Sequence, residues 1–485
     1  MNQNRMNGSR TGESRTDKCQ AGVDRMDETR TGETCIGESL SGEDPAGKKR
    51  MNQEQTGGNS MNENQTTENC MNESQKNETR PGKKTAVEPH ISETRRCWAE
   101  IDLDALRHNF RLVKQCAGSA AVMAVVKADA YGHGDAVVAP LLEKEGADAF
   151  AVACLDEALR LRRAGVAKPV LILGYTHPEN AAALAAHDIR QTVFSPGYAA
   201  ALSAAAVRAG ITVRVHLKVD TGMARLGFAP DDTEGAAHAC TLPGILPEGI
   251  FTHFAAADSA APQDKEYTRR QYTLLACMIG ALAKRGITFP VRHCCNSAGT
   301  FAWPDYRLDL VRPGIILYGE QPSPEVTLPG LRGAMRLCAV VSQVRTLSPG
   351  DAVSYGCTYH APHPVRAATL TIGYADGYPR SLSSRGTVSL HGRPARVLGR
   401  VCMDQIIVDA SGIPETMPGD TAVVFGGESA DSVEQVAAMT GTIGYEILCG
   451  VGRRVPRVYI ENGARVASMD YLAGTEAFSA TGSLY

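Results

Sequence analysis

Eight short apolar runs alternate with longer Ala- and Leu-rich segments between residues 121 and 318, and no other feature limits the fold as strongly. The longer segments, such as Leu155–Ala164 and Tyr267–Arg285, are polar on one side, as amphipathic helices are. Eight strand–helix units predict an α/β TIM barrel, (β/α)8, and argue against an open doubly wound sheet. The predicted strands are Val122–Lys127, Ala149–Cys154, Val170–Tyr175, Gln191–Ser195, Val213–Val219, Gly249–Phe254, Val291–Asn296 and Leu308–Arg312.

A different pattern follows Tyr318, where β-branched runs alternate with Gly and Pro turns around one short predicted helix, Ser432–Met439. This pattern predicts a second, mostly β domain. Ahead of the barrel, Trp98–Asp102 is predicted to be a strand that could pair with this second domain. A helix capped by Asp102 should follow it. The buried face of that helix is predicted to contain Leu103, Leu106, Phe110 and Val113.

The first part of the chain is rich in Asn, Gln, Glu, Ser, Thr and Gly and contains loose repeats. Such a low-complexity leader cannot bury enough apolar surface to offset its ordering entropy, so we predict that it is disordered. The expected boundaries are 1–95 for the leader, 96–330 for the barrel, 331–465 for the β domain and 466–485 for a C-terminal tail without a clear pattern.

The composition favours small-molecule chemistry in the cytoplasm. The formal net charge is −3 with both signs mixed, which provides no basic face for nucleic acid or anionic lipid. The 14 cysteines form no CxxC pairs, so we expect reduced thiols in a cytoplasmic protein. No apolar run of about 18 residues is present, and the polar N-terminus lacks the apolar segment of a signal peptide.

Polar residues occur where the predicted barrel strands end, and TIM barrels gather their working residues on this rim. The residues predicted to share the rim are Lys127, Arg225, His253, Asn296, Ser297 and Arg312. Asn296–Gly299 and Arg312–Ile315 also offer small residues and backbone N–H groups to a phosphate. Each segment alone is more often a plain turn, but together they indicate a phosphate-binding site.

Lys127 ends an apolar run and precedes a polar, Gly-rich turn that continues to Gly134. A lone lysine at a strand end is usually a solvated surface charge. A desolvated lysine near other cations, however, has a lowered pKa and can form a Schiff base with an aldehyde. A lysine in this position beside a phosphate site therefore predicts pyridoxal 5′-phosphate (PLP) as the cofactor.

Seven ordered motifs occur within residues 97–460. They are Ala124–Gly134, Lys218–Gly227, Thr252–Ala255, Val311–Ile315, Ser354–Gly356, Gly373–Gly377 and Cys402–Gln405. Over this part the chain resembles the bacterial alanine racemases, which are fold-type III PLP enzymes. The resemblance implies a TIM barrel, a C-terminal β domain, a head-to-tail homodimer and the interconversion of L-alanine and D-alanine, which supplies D-alanine for peptidoglycan.

The resemblance also implies the residues that transfer protons. Lys127 would hold PLP and act on one face of the substrate α-carbon, and Tyr355 of the partner subunit would act on the other. Racemisation needs a group on each face, because one base that returns the proton to its own side leaves the configuration unchanged. Arg312 would donate to the pyridine nitrogen without protonating it, and His253 would lie between Tyr355 and Arg312.

Further binding roles follow from the same resemblance. The cofactor ligands would be Tyr131, Asn296, Ser297, Gly314, Ile315 and Tyr445. Arg225 would bind the substrate carboxylate, and Lys218, if carbamylated, would orient Arg225. From the partner subunit, Met403 and Asp404 would line the substrate pocket, while Tyr374 and Arg380 would narrow its entrance.

Three other functions are compatible with parts of the sequence. A serine or broad-specificity racemase of the same fold differs in its substrate by one hydroxyl, which a pocket rejects only weakly. A non-catalytic PLP-binding barrel would lack the appended β domain with Tyr355. A fold-type III decarboxylase would be expected to have an acidic residue where this chain has Arg312.

Overall fold

The computed structural model describes residues 95–473 and the backbone of residues 475–478. Almost all of the leader that was predicted to be disordered lies outside the described residues. Within them, a closed parallel barrel is followed by a mostly β domain, which confirms the fold class predicted from the sequence.

The chain enters the fold through strand β1 (Cys97–Asp102) and the helix Leu103–Ala117. The Asp102 side chain accepts a hydrogen bond from the Ala105 backbone N–H and caps this helix, as predicted. The predicted face is buried. Strand β1 does not belong to the barrel, because it pairs with β10 (Met335–Leu347) and β18 (Arg457–Glu461) of the β domain.

The barrel closes in sequence order from β2 to β9, and every neighbouring pair is parallel. Its strands are β2 (Ala121–Val125), β3 (Ala149–Val152), β4 (Val170–Ile172), β5 (Ile189–Val193), β6 (Val213–Lys218), β7 (Ile245–Phe251), β8 (Val291–His293) and β9 (Leu310–Val311). Its helices are Asp135–Lys144, Leu155–Arg163, Ala181–Ala186, Pro196–Ala209, Thr233–Thr241, Pro262–Ala283 and Ser297–Ala302.

The barrel strands end one to three residues earlier than predicted. The runs predicted as Val170–Tyr175 and Val291–Asn296, for example, end at Ile172 and His293. The residues that follow these ends belong to no strand, although some keep a backbone hydrogen bond to the neighbouring strand, as the Leu173 N–H does to the Val152 carbonyl over 2.8 Å. Several apolar-to-polar transitions in the sequence therefore mark rim residues rather than strand residues.

In the β domain, the strands that follow β10 are β11 (Ala352–Val353), β12 (Tyr359–His360), β13 (Val365–Leu370), β14 (Thr387–Leu390), β15 (Arg393–Arg396), β16 (Ile406–Asp409), β17 (Thr421–Phe425), β18, β19 (Ala464–Asp470) and β20 (Thr475–Phe478). The main sheet has the order β15-β14-β17-β10-β1-β18-β19-β20, while β13 pairs with β10 and β16 pairs with β13. The predicted boundary between the β domain, ending at residue 465, and the tail, starting at residue 466, falls inside β19. The sheet therefore extends into the segment for which the sequence shows no clear pattern.

Two short helices interrupt this sheet. The helix Val433–Thr440 is capped by the Ser432 hydroxyl, close to the predicted position. The helix Gly444–Gly450 was not predicted, because it is short and begins with glycine. Among the described residues, no helix has the length and apolar character needed to cross a membrane.

Candidate active site

Lys127 begins a turn of unusual hand, Lys127–Gly132, directly after strand β2. Ala128, Asp129, Ala130 and Tyr131 all have φ between 53° and 57° and ψ between 41° and 50°. Left-handed backbone costs residues with a Cβ about 1–2 kcal/mol each. The turn therefore cannot depend on local propensity, and contacts with the rest of the fold must hold it.

Lys127 is half-buried, and burial lowers the pKa of its amine. The Arg225 cation lowers it further, whereas Cys449 and Glu157 act in the opposite direction. A lowered pKa increases the fraction of neutral amine, which is the form that attacks an aldehyde. This environment matches the one expected for Lys127 from the sequence.

Polar groups from three segments converge beyond the end of the turn. The Gly314 backbone N–H donates to the Ser297 Oγ over 2.9 Å. A Cβ atom built on Gly314 would lie 2.6 Å from the Tyr131 hydroxyl oxygen, so the lack of a side chain allows this hydroxyl to approach the Gly314 backbone closely. Two neighbouring residues complete this region, the fully buried Ile315 and Tyr445, whose ring centroid is 6.0 Å from that of Tyr131. Hydroxyl groups and backbone N–H groups gathered in one place suit a phosphate.

Asn296 has a different observed contact from the other predicted cofactor residues. Its side-chain oxygen accepts from the Gly299 N–H and caps the helix Ser297–Ala302. The cap fixes the start of the helix that carries Ser297. In the structure Asn296 therefore supports the region around Ser297 and Gly314 through the backbone.

Arg312 is buried and donates to a shell of acceptors at the strand ends. Its contacts are His293 Nδ1 at 2.6 Å, the Thr252 carbonyl at 2.8 Å, the Cys294 carbonyl at 3.1 Å and His253 Nδ1 at 3.3 Å. Guanidinium has donors only, so the contacting nitrogens of both imidazoles must be acceptors. Burial lowers the pKa of Arg312 to about 10, which leaves it protonated at neutral pH.

The hydrogen-bonded chain of imidazoles extends from His293 to His216. Because His293 Nδ1 accepts from Arg312, its Nε2 carries the proton and donates to His216 Nδ1 over 2.8 Å. Burial, followed by nearby cations, lowers the pKa of His216 to about 3 and holds those of His293 and His253 well below their ordinary value. The three imidazoles are neutral at physiological pH, so Arg312 is the cation of this network.

Lys218 and Arg225 lie at opposite ends of one motif. Lys218 is buried, donates to the Val219 carbonyl over 2.8 Å, and has a pKa lowered to about 7 by burial. Between them, the Asp220 carboxylate accepts from the backbone N–H of Gly222, Met223, Ala224 and Arg225. Asp220 therefore fixes the loop, while the Arg225 side chain remains exposed.

The remaining predicted residues lie on the β domain, where Tyr355 is 70% exposed. A cavity of about 590 Å³ is lined by Ser354, Tyr355, Gly356, Cys402, Met403, Asp404 and Gln405. The Tyr374 backbone donates to the Cys402 carbonyl over 3.0 Å, so Tyr374 borders this group. Arg380 is exposed at the start of the short 3₁₀ turn Arg380–Leu382. Every residue that lines this cavity comes from the β domain.

Comparisons with known proteins cover both the residues on the barrel rim and those on the β domain. The family model described as "Alanine racemase, N-terminal domain" matches residues 101–322, and "Alanine racemase, C-terminal domain" matches residues 334–459. The chain belongs to the alanine racemase family. Alanine racemase of Desulforamulus reducens is 48% identical over 75% of this chain and 98% of its own length. That of Desulfovibrio desulfuricans is 46% identical over 76% of this chain and 100% of its own length.

Solved alanine racemase structures agree with this assignment. The alanine racemase of Clostridium difficile 630 has a TM-score of 0.75 at 39% identity, covering 79% of this chain and 100% of its own. The Bacillus anthracis alanine racemase with bound L-Ala-P has a TM-score of 0.74 at 34% identity, covering 79% of this chain and 99% of its own. Alanine racemases are PLP-dependent, and the hydroxyl and backbone groups around Gly314, together with the half-buried Lys127, suit that cofactor.

Sequence reasoning missed parts of the alanine racemase site. His216 was not singled out, although it lies two residues before Lys218 on β6, and alternate residues of a strand share a face. His293, which lies inside the predicted strand Val291–Asn296, was given no catalytic role. Tyr318 was also missed, and its ring centroid lies 4.8 Å from that of Tyr131 while its hydroxyl donates to the Val125 carbonyl. Its apolar surroundings gave no signal in the sequence.

Proposed function

We propose that this chain is an alanine racemase, a PLP-dependent isomerase that interconverts L-alanine and D-alanine. The observation that carries this proposal is the arrangement around Arg312. A buried guanidinium is held by neutral imidazoles on the barrel rim, and the family models match both this rim and the domain that carries Tyr355. When bound, PLP withdraws electrons from the attached amino acid and makes its α-proton removable.

We assign the following residues to hold the cofactor. The Lys127 amine would hold its aldehyde carbon, and the phosphate would be bound by Tyr131, Ser297, Gly314, Ile315 and Tyr445. Asn296 would act through the helix that it caps. Arg312 would donate to the pyridine nitrogen and keep its own proton, because even its lowered pKa lies well above neutral pH. This restrains electron withdrawal by the ring and disfavours transamination.

The proton steps require two groups on opposite faces of the α-carbon. We propose Lys127 Nζ for one face and the hydroxyl of Tyr355 of the partner subunit for the other. His253 would link that hydroxyl to Arg312. In one direction Lys127 removes the α-proton and Tyr355 supplies another, and the roles reverse in the other direction.

Substrate recognition is proposed to combine both domains. Arg225 would bind the alanine carboxylate, and Lys218, once carbamylated, would orient Arg225 through opposite charge. Met403 and Asp404 of the partner subunit would line the pocket. Tyr374 and Arg380 of the partner subunit would border its entrance.

We propose that the chain works as a head-to-tail homodimer in the cytoplasm and supplies D-alanine for peptidoglycan. The exposed Tyr355 supports the dimer, because an isolated chain leaves this side chain largely in solvent. A barrel-only PLP-binding protein is not favoured, since the C-terminal model matches residues 334–459. Arg312 likewise argues against the decarboxylase alternative.

The direct test is to measure L-alanine and D-alanine interconversion by the purified chain, with and without added PLP. We expect equal equilibrium amounts from either enantiomer and activity that depends on PLP. Kinetics with L-serine under the same conditions separate the two racemase activities. A higher kcat/KM for L-serine than for L-alanine would overturn the choice of substrate, and no racemisation of either would overturn the reaction.

A further inference from the structure

The C-terminal segment beyond the family match returns to the turn that carries Lys127. The C-terminal model ends at residue 459, inside β18, and β19 then pairs antiparallel with β18. Tyr471 follows β19 directly, and its hydroxyl donates to the Asp129 carboxylate oxygen Oδ2. Asp129 is two residues after Lys127, so a residue outside the matched region contacts the turn that begins the site.

The Asp129 carboxylate connects several parts of this region. Its Oδ1 accepts from the Asp135 backbone N–H over 3.1 Å and lies 3.3 Å from an Arg160 nitrogen. Asp135 begins the helix that follows the turn. Because the remaining oxygen accepts from Tyr471, both oxygens have partners. Burial and the Asp129 charge raise the pKa of the Tyr471 hydroxyl, so it stays protonated and remains the donor.

The Tyr471 ring also contacts the groups that hold the end of the turn. The guanidinium carbons of Arg160, Arg453 and Arg457 lie 5.6, 5.8 and 5.2 Å from its centroid. Arg457 is buried and donates through Nε to the Gly132 carbonyl over 2.8 Å. Tyr471 is therefore connected to the second residue after Lys127 and, through Arg457, to the last residue of the turn.

We propose that Tyr471 is a positioning residue that holds the left-handed Lys127 turn in place. The turn begins with the amine proposed to hold PLP and contains Tyr131, a proposed phosphate ligand. Its strained backbone needs external contacts, and Tyr471 supplies one to the carboxylate at its centre. The inference rests on the proposed role of Lys127, but the order of the turn can be measured without catalysis.

The test is Tyr471→Phe, which removes the hydroxyl and keeps the ring against the arginines. Hydrogen exchange of the peptide 127–134 in the PLP-free protein should become about threefold faster or more, because one buried hydrogen bond to a carboxylate is lost. In the PLP-loaded enzyme, kcat should fall by about threefold to tenfold and PLP should dissociate faster. The KM for alanine should change little, because Arg225 does not contact this hydrogen bond.

The matched control is Tyr198→Phe, which also removes a buried hydroxyl, one that donates to the Thr176 carbonyl over 2.8 Å. It should lower the melting temperature without changing exchange in 127–134 or kcat. If Tyr471→Phe behaves like this control, Tyr471 is only a structural residue and the proposal is wrong. Absence of racemisation in the parent protein would overturn the proposed function and leave the exchange result interpretable.

Asp129→Asn provides a second route to the same conclusion. The amide keeps the size of the side chain but loses the charge that Tyr471 contacts. If Tyr471 acts through this carboxylate, adding Tyr471→Phe to Asp129→Asn should change exchange and kcat by less than it does in the parent chain. Fully additive effects would contradict the proposal.

Discussion

The barrel side and the β-domain side of the proposed site differ in how far a single chain completes them. On the barrel side Arg312 is buried with both of its terminal nitrogens hydrogen-bonded, and Lys127 sits in a fixed turn. On the β-domain side Tyr355 and Met403 are 70% and 51% exposed around an open cavity. The difference indicates that the barrel side is preorganised within one chain, whereas the β-domain residues are left open to solvent, as the proposed dimer requires.

Charge is distributed just as unevenly. Lys127, Lys218, Arg225 and Arg312 are all cationic or potentially cationic, and they lower one another's pKa values or those of the nearby imidazoles. The cavity at Tyr355 contains Asp404, which is paired with Arg454 over 2.7 Å. The barrel side can therefore bind a phosphate and a carboxylate, while the β-domain side contributes the Tyr355 hydroxyl and the shape of the pocket.

The largest effect is expected when the barrel side loses its amine. Lys127→Ala should reduce racemisation by about 10⁴-fold or more, because cofactor attachment and one proton-transfer group are lost together. The absorbance of lysine-bound PLP should also disappear. Lys168→Ala, which removes an exposed lysine of the same barrel, should leave both unchanged. Retained absorbance in Lys127→Ala would place the cofactor on another lysine.

On the β-domain side, Tyr355→Phe should leave that absorbance intact while slowing solvent deuterium exchange into one alanine enantiomer by about 10²- to 10³-fold. Mixing Tyr355→Phe with Lys127→Ala chains tests whether the two sides come from different chains. Random mixed dimers should recover about a quarter of the parent activity, because half of the dimers contain one intact site of two. No recovery despite confirmed chain exchange would place both residues in one subunit.

A smaller effect should follow from adding a side chain among the proposed phosphate ligands. Gly314→Ala places a Cβ 2.6 Å from the Tyr131 hydroxyl oxygen, and the Gly314 backbone, with φ of −122° and ψ of −93°, lies outside the regions that a residue with a Cβ prefers. We expect the Kd for PLP to rise about tenfold, or about 1.4 kcal/mol, together with a lower melting temperature. Gly280→Ala, with open space around it in a helix, is the matched control. Unchanged PLP affinity would mean that the phosphate binds elsewhere.

Periodicity was sufficient to predict the barrel, and the rim followed from it. Eight apolar runs gave the correct number and order of strands, because each buried strand needs a continuous apolar segment. The same runs placed Lys127, Ser297 and Arg312 at strand ends. In the structure, the Ser297 and Gly314 contact and the Arg312 and His253 contact bring these ends together.

The missed features depend on contacts between distant residues. Four non-glycine residues in left-handed backbone contradict local propensity, and only the surrounding contacts explain them. The hydrogen bond from Tyr471 to Asp129 joins residues 342 apart, and Tyr471 lies in the tail for which the sequence showed no clear pattern. The hydrogen-bonded chain of imidazoles through His216 depends on strand register, which a single sequence does not provide.

The smallest effect concerns Lys218, whose buried amine lies among the cations of the barrel side. Because its pKa is lowered to about 7, the amine is mostly protonated below that pH and mostly neutral above it. Only the neutral amine adds carbon dioxide, forming a carbamate and releasing one proton. Carbamylation should therefore increase as the pH rises through 7, and the new negative charge should orient Arg225.

We expect added bicarbonate to raise kcat/KM for alanine by about twofold to fivefold above pH 7, with little effect well below it. Lys218→Arg, which cannot be carbamylated, should remove this dependence while retaining a cation, and Lys168→Arg should behave like the parent chain. An equal bicarbonate response in Lys218→Arg would show that the barrel side orients Arg225 without this modification. Its preorganisation would then depend on Asp220 and the backbone of its loop.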